Sequence, residues 1–186
     1  EDELLNRGVA GGREAINFLR SLRDMLAGQS QSHVNVTTKW DGAPAVFAGI
    51  NPENGKFFVG TKGVFAKNAK LNYTDKDIDK NHPAEGLNDK LKVALRYLPK
   101  LGIKGVLQGD MMFAKGDLDE KTLDGEDYIT FQPNTLIYAV PVDSKLAKTI
   151  QAAQMGVVFH TSYTGKTFAD MKASFNIDIK NLSPTK

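Results

Sequence analysis

Apolar residues recur at helical spacing in several stretches of the chain. In the first stretch the recurring positions are Ala15, Phe18, Leu19, Leu22, Met25 and Leu26. Spacings of three and four residues place such side chains on one face of a helix. The pattern predicts helices over residues 13–26 and 84–98. A further helix is predicted over 145–154, with Asp143 or Ser144 as its cap, and a shorter helix over 167–174.

Shorter apolar or alternating runs lie between these helices and are typical of strands. The predicted strands cover residues 33–38, 45–50, 57–59, 105–108, 135–140 and 156–160. Asn51-Pro52-Glu53-Asn54-Gly55 is a strong turn signal, so the second and third strands should form an antiparallel hairpin. Residues 66–83 and 115–127 are polar and are predicted to be surface loops. Hairpins mixed with helices favour an α+β fold over a regularly alternating α/β sheet.

Length and composition indicate an ordinary globular protein. With 186 residues, of which 41% are hydrophobic and 25% charged, the chain suits a single domain over residues 1–186 with one substantial core. It has no cysteine, which excludes disulfides and thiolate metal sites, and its three histidines lack metal-ligand spacing. No apolar run approaches the roughly 18 residues of a membrane span, so we expect no membrane partner and a cytoplasmic location.

The charge balance gives little indication of a partner. Lys and Arg number 24, Asp and Glu number 22, and the net charge is +2. Lys62, Lys67 and Lys70 cluster in one stretch. This cluster is either a basic binding face or a solvated surface, and charge alone favours the surface.

Lys39-Trp40-Asp41-Gly42 is the strongest candidate for chemistry. A lysine that attacks phosphorus must first lose its proton. Because the reference pKa of lysine is about 10.4, burial or a nearby cation must lower this pKa before the amine can be neutral near physiological pH. Lys39 follows a predicted strand, which would hold its stem and direct its tip into a pocket. Gly42 would let the backbone approach a nucleotide and would turn the chain into the hairpin. Since Asp-Gly is also a common turn dipeptide, an ordinary surface turn is the competing interpretation.

These four residues resemble the nucleotidyl-acceptor motif of the covalent nucleotidyltransferases, which comprise DNA ligases, RNA ligases and mRNA-capping enzymes. Thr61-Lys62-Gly63 is similar to the family's second motif, and Gly109-Asp110 to its third motif of a glycine and a carboxylate. Tyr138 matches best the aromatic residue that lies over the base in this family, and Phe131 matches less well. The order and spacing of these elements carry the resemblance.

Longer stretches look like uncharacterised ligase-like proteins of large tailed bacteriophages. These are Lys39-Trp40-Asp41-Gly42-Ala43-Pro44-Ala45, Thr61-Lys62-Gly63-Val64-Phe65, Leu107-Gln108-Gly109-Asp110-Met111-Met112-Phe113 and Gly156-Val157-Val158-Phe159-His160-Thr161. The resemblance implies an adenylation domain of ligase type, with antiparallel sheets flanked by helices.

The resemblance also implies roles for particular residues. Lys39 would take AMP from ATP, with Asp110 as a catalytic carboxylate and Mg²⁺ ligand, and nucleic-acid ends, DNA or RNA, would be the substrates. The implied ATP-binding residues are Thr37, Thr38, Asp41, Gly42, Lys62 and Tyr138. Each has a plainer alternative: an ordinary strand threonine, a turn residue, an exposed lysine or a core aromatic.

Three features depart from the family pattern. Its fourth motif begins with a metal-binding carboxylate, whereas the similar stretch here begins with Met155, and thioethers do not suit Mg²⁺. Its fifth motif, a lysine pair on a late strand, has no good match, since Lys166 and Lys172 fall in a predicted loop and helix. An arginine common after Asp-Gly is replaced by Ala43-Pro44-Ala45.

Two explanations of these departures remain open. The sequence is part of a longer protein that carries the missing motifs downstream, or it belongs to a degenerate member that binds nucleotide without completing the reaction. The corresponding functions are a nucleic-acid ligase with a role in DNA repair, or a non-catalytic nucleotide- or nucleic-acid-binding phage protein. A structural virion protein that has lost the pocket is a third alternative.

Overall fold

The structure is a computed structural model that describes residues 2–29, 40–175, 177 and 182–183. The strand predicted over residues 33–38 lies outside these ranges, and so do Thr37, Thr38 and Lys39. The chain divides into two compact units, residues 1–39 and residues 40–186.

The first unit contains one long helix, α1 (Asp2–Leu26), which includes the predicted helix over 13–26. Gly8 interrupts it with a non-helical backbone conformation at φ 55° and ψ −136°, which glycine adopts without a side-chain penalty. Arg7 and Glu14 form an exposed ion pair across this interruption. No helix among the described residues is long and apolar enough to cross a membrane.

The second unit is built around a five-stranded antiparallel sheet with the order β2-β1-β3-β7-β8. Its strands are β1 (Ala45–Ile50), β2 (Phe57–Gly60), β3 (Val106–Ala114), β7 (Met155–Thr164) and β8 (Lys172–Ser174). The predicted hairpin of the first two strands is confirmed, with the Asn51 side chain accepting a hydrogen bond from the Glu53 amide in the turn. The predicted strand over 105–108 was too short, because β3 continues through Gly109-Asp110 to Ala114.

A second, three-stranded antiparallel sheet has the order β4-β5-β6. Its strands are β4 (Asp119–Leu123), β5 (Glu126–Phe131) and β6 (Tyr138–Pro141). The loop predicted over 115–127 is therefore wrong in part, since it contains β4 and the start of β5. Asp124 and Gly125 join these strands in a two-residue turn with positive φ angles of 52° and 85°. Asp-Gly tolerates this conformation, which matches the twist of a hairpin.

Helices cover one face of the five-stranded sheet. They are α2 (Asp75–Asn81) and α3 (Glu85–Tyr97), and the latter confirms the helix predicted over 84–98. Their buried side chains pack against apolar residues that alternate along the strands. This core contains Val46, Ala48, Val59, Ile78, Leu91, Ala94, Leu98, Leu107 and Met111.

The prediction of a surface loop over 66–83 is wrong for its second half. Thr74 and Asp77 form a capping box that starts α2, and Ile78 anchors the helix in the core with no exposed surface. Asn72 is also fully buried, where its side chain donates to the Val59 carbonyl on β2. His82, at the end of α2, is 7% exposed.

The helix α4 (Lys145–Ala152) confirms most of the helix predicted over 145–154. The Ser144 hydroxyl caps it by accepting from the Ala147 amide. The helix predicted over 167–174 is wrong, because a short 3-10 turn at Phe168–Asp170 leads into β8 instead. The described residues thus form an α+β structure with antiparallel sheets flanked by helices.

Candidate functional site

The segment from Asp41 to Pro44 lies beside the middle of β3, although the two are far apart in sequence. The Ala43 amide donates to the Met111 carbonyl at 3.1 Å, and the Met111 amide donates to the Pro44 carbonyl at 3.0 Å. Ala45, the first residue of β1, is the cross-strand partner of Asp110. The Asp-Gly part of the candidate motif is therefore attached to the strand that carries the candidate carboxylate.

At Gly42 the backbone of this segment lies in close contact with β3. A Cβ placed on Gly42 would lie 2.8 Å from the Asp110 Cβ and 2.9 Å from both the Met111 carbonyl oxygen and the Met112 sulfur. Such separations are too short for any side chain. In the structure the close neighbour of Gly42 is β3, and the predicted approach of this backbone to a nucleotide stays a prediction.

Asp41 is held by residues of the second sheet. The Tyr138 hydroxyl accepts from the Asp41 amide at 3.0 Å and donates to the Asp41 carbonyl at 3.1 Å. The Asn134 side-chain amide donates to a carboxylate oxygen of Asp41 at 3.2 Å. The backbone and the carboxylate of Asp41 are thus both fixed from the loop and strand that follow β5.

The ring of Tyr138 is enclosed by two other aromatic rings. Phe131, its cross-strand partner on β5, stacks on it with centroids 5.4 Å apart and planes inclined by 15°. Trp40 lies at 5.5 Å with a tilt of 39° and is itself 42% exposed. The observed contacts give Tyr138 a structural role in addition to the predicted role of stacking on a base, which stays a prediction. Trp40 is the most exposed of these three rings.

Asp110 points away from the helical side of the large sheet. Its neighbour Met111 is buried in the core beneath α3, and successive strand residues face opposite sides. The Asp110 side chain is 17% exposed, and His160 Nε2 on β7 lies 3.7 Å from its Oδ1. The His160 Nδ1 is 2.8 Å from the hydroxyl oxygen of Thr161. A carboxylate, an imidazole and a hydroxyl therefore occupy one face of β3 and β7.

Met155, which stands where the family's fourth motif has a carboxylate, is not near this polar face. It packs against the core on the helical side of the sheet and pairs with Ala114 at the far end of β3. The residue of β7 opposite Asp110 is Val158. Residues 155–158 therefore resemble the fourth motif in sequence, but the Met155 side chain does not lie beside Asp110.

Lys62 lies in a 3-10 turn (Lys62–Phe65) that follows β2, not on the strand itself. The Thr61 side chain caps this turn by accepting from the Gly63 amide. Lys62 is exposed, and no hydrogen bond or ion pair between described residues joins it to Asp41, Asp110 or Tyr138. Its predicted contact with ATP stays a prediction.

A tyrosine on the same face of the large sheet shows a pKa shift. Burial raises the pKa of Tyr163, whose hydroxyl donates to the Gln108 side chain at 2.7 Å. Gln108 precedes Gly109-Asp110 on β3. Tyr163 therefore remains a neutral hydrogen-bond donor through the physiological range and fixes Gln108 beside the candidate carboxylate.

Asp110 provides a hard carboxylate oxygen of the kind that Mg²⁺ prefers. Within the described ranges, no group of three or more histidine, aspartate or glutamate side chains is arranged to hold a metal ion. Mg²⁺ commonly binds through one or two carboxylates, with waters and substrate phosphates completing its shell. The donor set is compatible with an ion brought in by a nucleotide.

Three residues of this site were not predicted as contributors. These residues are His160, Thr161 and Asn134, to which the sequence assigned no catalytic or binding role. Each acts through a partner that is distant in sequence or through the local geometry of β7. The only sequence signal was the position of His160 and Thr161 in a stretch that resembles the phage proteins.

The second unit thus defines an α+β protein in which the segment after Lys39 joins a carboxylate-bearing strand to an aromatic-lined second sheet. Residues 1–186 match the family of unknown function DUF6267, and the chain belongs to that family. Searches of the curated proteins and of the solved structures gave no match.

Proposed function

We propose that this protein is an ATP-dependent, polynucleotide ligase-like nucleotidyltransferase, with the fold of a ligase adenylation domain, in which Lys39 is covalently adenylated. The observation that carries the proposal is the convergence of Asp41, Gly42, Asp110 and Tyr138, which the sequence had assigned to one site. Asp41 and Tyr138 are 97 residues apart in sequence and share two hydrogen bonds. A surface turn at Asp41-Gly42 would not require such contacts.

In the proposed reaction the neutral amine of Lys39 attacks the α-phosphorus of ATP. A bond forms between Nζ and phosphorus, the bond to the bridging oxygen breaks, pyrophosphate leaves, and the amine proton passes to solvent. An oxygen of a 5′-phosphate at a nucleic-acid end then attacks the phosphorus of the adduct, the phosphorus–nitrogen bond breaks, and Lys39 takes up a proton and leaves as the free amine. A 3′-hydroxyl displaces AMP and joins the two ends.

Positioning and electrostatics would supply most of the rate enhancement, as in phosphoryl transfer generally. Asp110 would orient the lysine or the ribose and hold Mg²⁺. Bound Mg²⁺ would supply neutralisation of the phosphate charge. Thr37, Thr38, Asp41, Gly42, Lys62 and Tyr138 remain the proposed contacts to ATP.

Labelled ATP tests this proposal directly. Incubation of the full-length protein with α-labelled ATP and Mg²⁺ should give an acid-labile protein–AMP adduct, whereas γ-labelled ATP should give none. Lys39→Ala should abolish the adduct. Lys56→Ala, which removes an exposed lysine on the β1–β2 hairpin, should leave it unchanged. No adduct in the unmodified protein, or an undiminished adduct in Lys39→Ala, would refute the enzyme.

A second candidate is non-covalent binding of a nucleotide or a nucleic-acid end. Met155 favours this candidate, because the position that should carry a metal-binding carboxylate is apolar and packs in the core. Thermal unfolding with ATP, combined with the adduct assay, distinguishes the two functions. ATP that raises the unfolding temperature without forming any adduct would support binding alone.

A further inference from the structure

The pairing of β3 with β7 is interrupted where the two strands pass the candidate carboxylate. Gln108 pairs with Thr161 and Gly109 pairs with Phe159, so His160 is an extra residue on β7. Such a β-bulge turns side chains from their regular alternation and is frequent beside functional sites. In this bulge His160 and its neighbour Thr161 come close enough for a side-chain contact between adjacent residues.

Gly109 is needed for this irregular pairing. A Cβ placed on Gly109 would lie 2.6 Å from the Val158 carbonyl oxygen and 3.0 Å from the Phe159 Cα. Any side chain would push β7 away from β3 and move His160 with it. The close approach of β7 at the bulge thus explains why a glycine precedes Asp110.

The hydrogen-bond partners indicate which ring nitrogen of His160 carries the proton. If the Thr161 hydroxyl donates to Nδ1 at 2.8 Å, then Nε2 carries the hydrogen and directs it toward the Asp110 carboxylate. The opposite tautomer would place a lone pair of Nε2 against the carboxylate. At 3.7 Å the contact is electrostatic, and such contacts often tighten when a substrate binds.

We propose that His160 is a positioning residue that fixes the carboxylate of Asp110 through an Nε2–H group whose tautomer is set by Thr161. This inference rests on the proposed function, because the carboxylate that it orients is the one assigned to adenylation. It adds a residue of β7 to the site. The three groups form a relay in which a buried hydroxyl orients an imidazole and the imidazole orients a carboxylate.

Matched variants of His160 separate positioning from packing. His160→Leu fills the space without a donor, whereas His160→Gln can present an amide N–H near the Nε2 position. In single-turnover adenylation, His160→Leu should lower the rate constant about tenfold or more, as loss of an orienting partner commonly does, with the ATP concentration for half-saturation little changed. His160→Gln should recover most of that rate. Equal rates in His160→Leu and the unmodified protein, or equal losses in both variants, would overturn the inference.

A spectroscopic measurement tests the contact independently of activity. Nitrogen-15 shifts of the imidazole, at a pH where it is neutral, should show His160 as the Nε2–H tautomer, and Asp110→Asn and Thr161→Val should each change those shifts. His82, which is buried elsewhere, provides an internal control in the same spectra. An Nδ1–H tautomer in the unmodified protein, or shifts unaffected by both variants, would refute the relay.

The two failures can be told apart. If the unmodified protein forms no adduct, the proposed function fails, and the spectra still decide whether the relay exists. If the adduct forms at the same rate with and without the imidazole, only the inference about His160 fails.

Discussion

The hydroxyl of Tyr138 satisfies both backbone polar groups of Asp41, accepting from its amide at 3.0 Å and donating to its carbonyl at 3.1 Å. One side-chain oxygen thereby fixes the peptide units on either side of the Asp41 Cα. Because Tyr138 belongs to the small sheet and Gly42 is packed on β3 of the large one, this short segment connects the two sheets.

Tyr138→Phe should loosen the Asp41 segment without removing the ring that stacks on Phe131. Two partly buried backbone groups would lose their partner, which should lower the free energy of unfolding by about 1–2 kcal/mol. Adduct formation should also slow, because the proposed nucleophile lies two residues before Asp41. Chemical denaturation and the labelled-ATP assay measure the two effects.

Tyr128→Phe is the matched control for this variant. The Tyr128 hydroxyl donates to the exposed Glu126 carboxylate on the same strand, and this contact raises the pKa of Tyr128. Removal of this hydroxyl should change stability much less, as expected where the hydrogen-bond partner is exposed. Equal effects of the two substitutions would contradict a special role for Tyr138.

Gly42→Ala should destabilise the protein by about 1–3 kcal/mol, the usual range for overpacking. The added methyl would meet β3 at the Asp110 Cβ and the Met111 carbonyl, which cannot move aside cheaply. Gly86→Ala in α3 is the control, because a Cβ there meets nothing within 4 Å and alanine favours the helix. Thermal unfolding should shift in opposite directions for the two variants.

His82 should make stability depend on pH below its ordinary pKa of 6.5. Burial, and then the nearby charge of Lys70, lower the pKa of His82 in the folded protein. As pH falls below 6.5 the unfolded chain takes up the proton first, so the folded state loses relative stability until its own lower pKa is passed. The stability of the unmodified protein relative to His82→Gln should therefore fall as pH is lowered through this window, as urea unfolding at several pH values would reveal. A difference that stays constant with pH would argue against a buried neutral imidazole.

Asp77 should contribute stability at neutral pH that disappears in acid. Burial alone would raise the pKa of Asp77, but hydrogen bonds from the Thr74 hydroxyl and from the Tyr73 and Thr74 amides outweigh it and lower the pKa below 3.8. Its contribution is present above 3.8, the ordinary value, and is lost as pH falls through the lower folded value.

Asp77→Asn should cost about 1 kcal/mol near neutral pH, a typical value for a helix cap, and little once the pH is below the lowered pKa of Asp77. Asp75→Asn, at an exposed position in the first turn of the same helix, separates this cap from the general effect of negative charge at a helix start. Identical pH profiles for the two variants would exclude a specific role of the cap.

Local sequence patterns correctly predicted those helices and strands that are stabilised mainly by contacts within themselves or with the adjacent turn. The helix α3 was predicted from its apolar spacing, and the β1–β2 hairpin from a turn sequence between two apolar runs. The helix α2 was missed because it is short and polar apart from Ile78, although Thr74 and Asp77 carried a capping signal. The helix predicted over 167–174 was wrong, because pairing of residues 172–174 with β7 decides the conformation there.

The candidate site was predictable only in its parts. Asp41, Gly42, Asp110 and Tyr138 were chosen from their resemblance to family motifs, and the structure brings these four together. That the hydroxyl of Tyr138 holds a backbone, or that a β-bulge turns His160 toward Asp110, depends on strand register. Register arises from contacts between distant residues, which no local pattern contains.

The tip of the β4–β5 hairpin is a suitable site for attaching a tag or a label to this protein. Asp124 and Gly125 adopt positive φ angles at an exposed two-residue turn, and a Cβ on Gly125 would meet nothing within 4 Å. Exposed loop tips of this kind accept inserted sequence readily. A peptide tag or a fluorophore attached there would report on tumbling or immobilise the molecule without altering the Asp41 segment or its partners Asn134 and Tyr138.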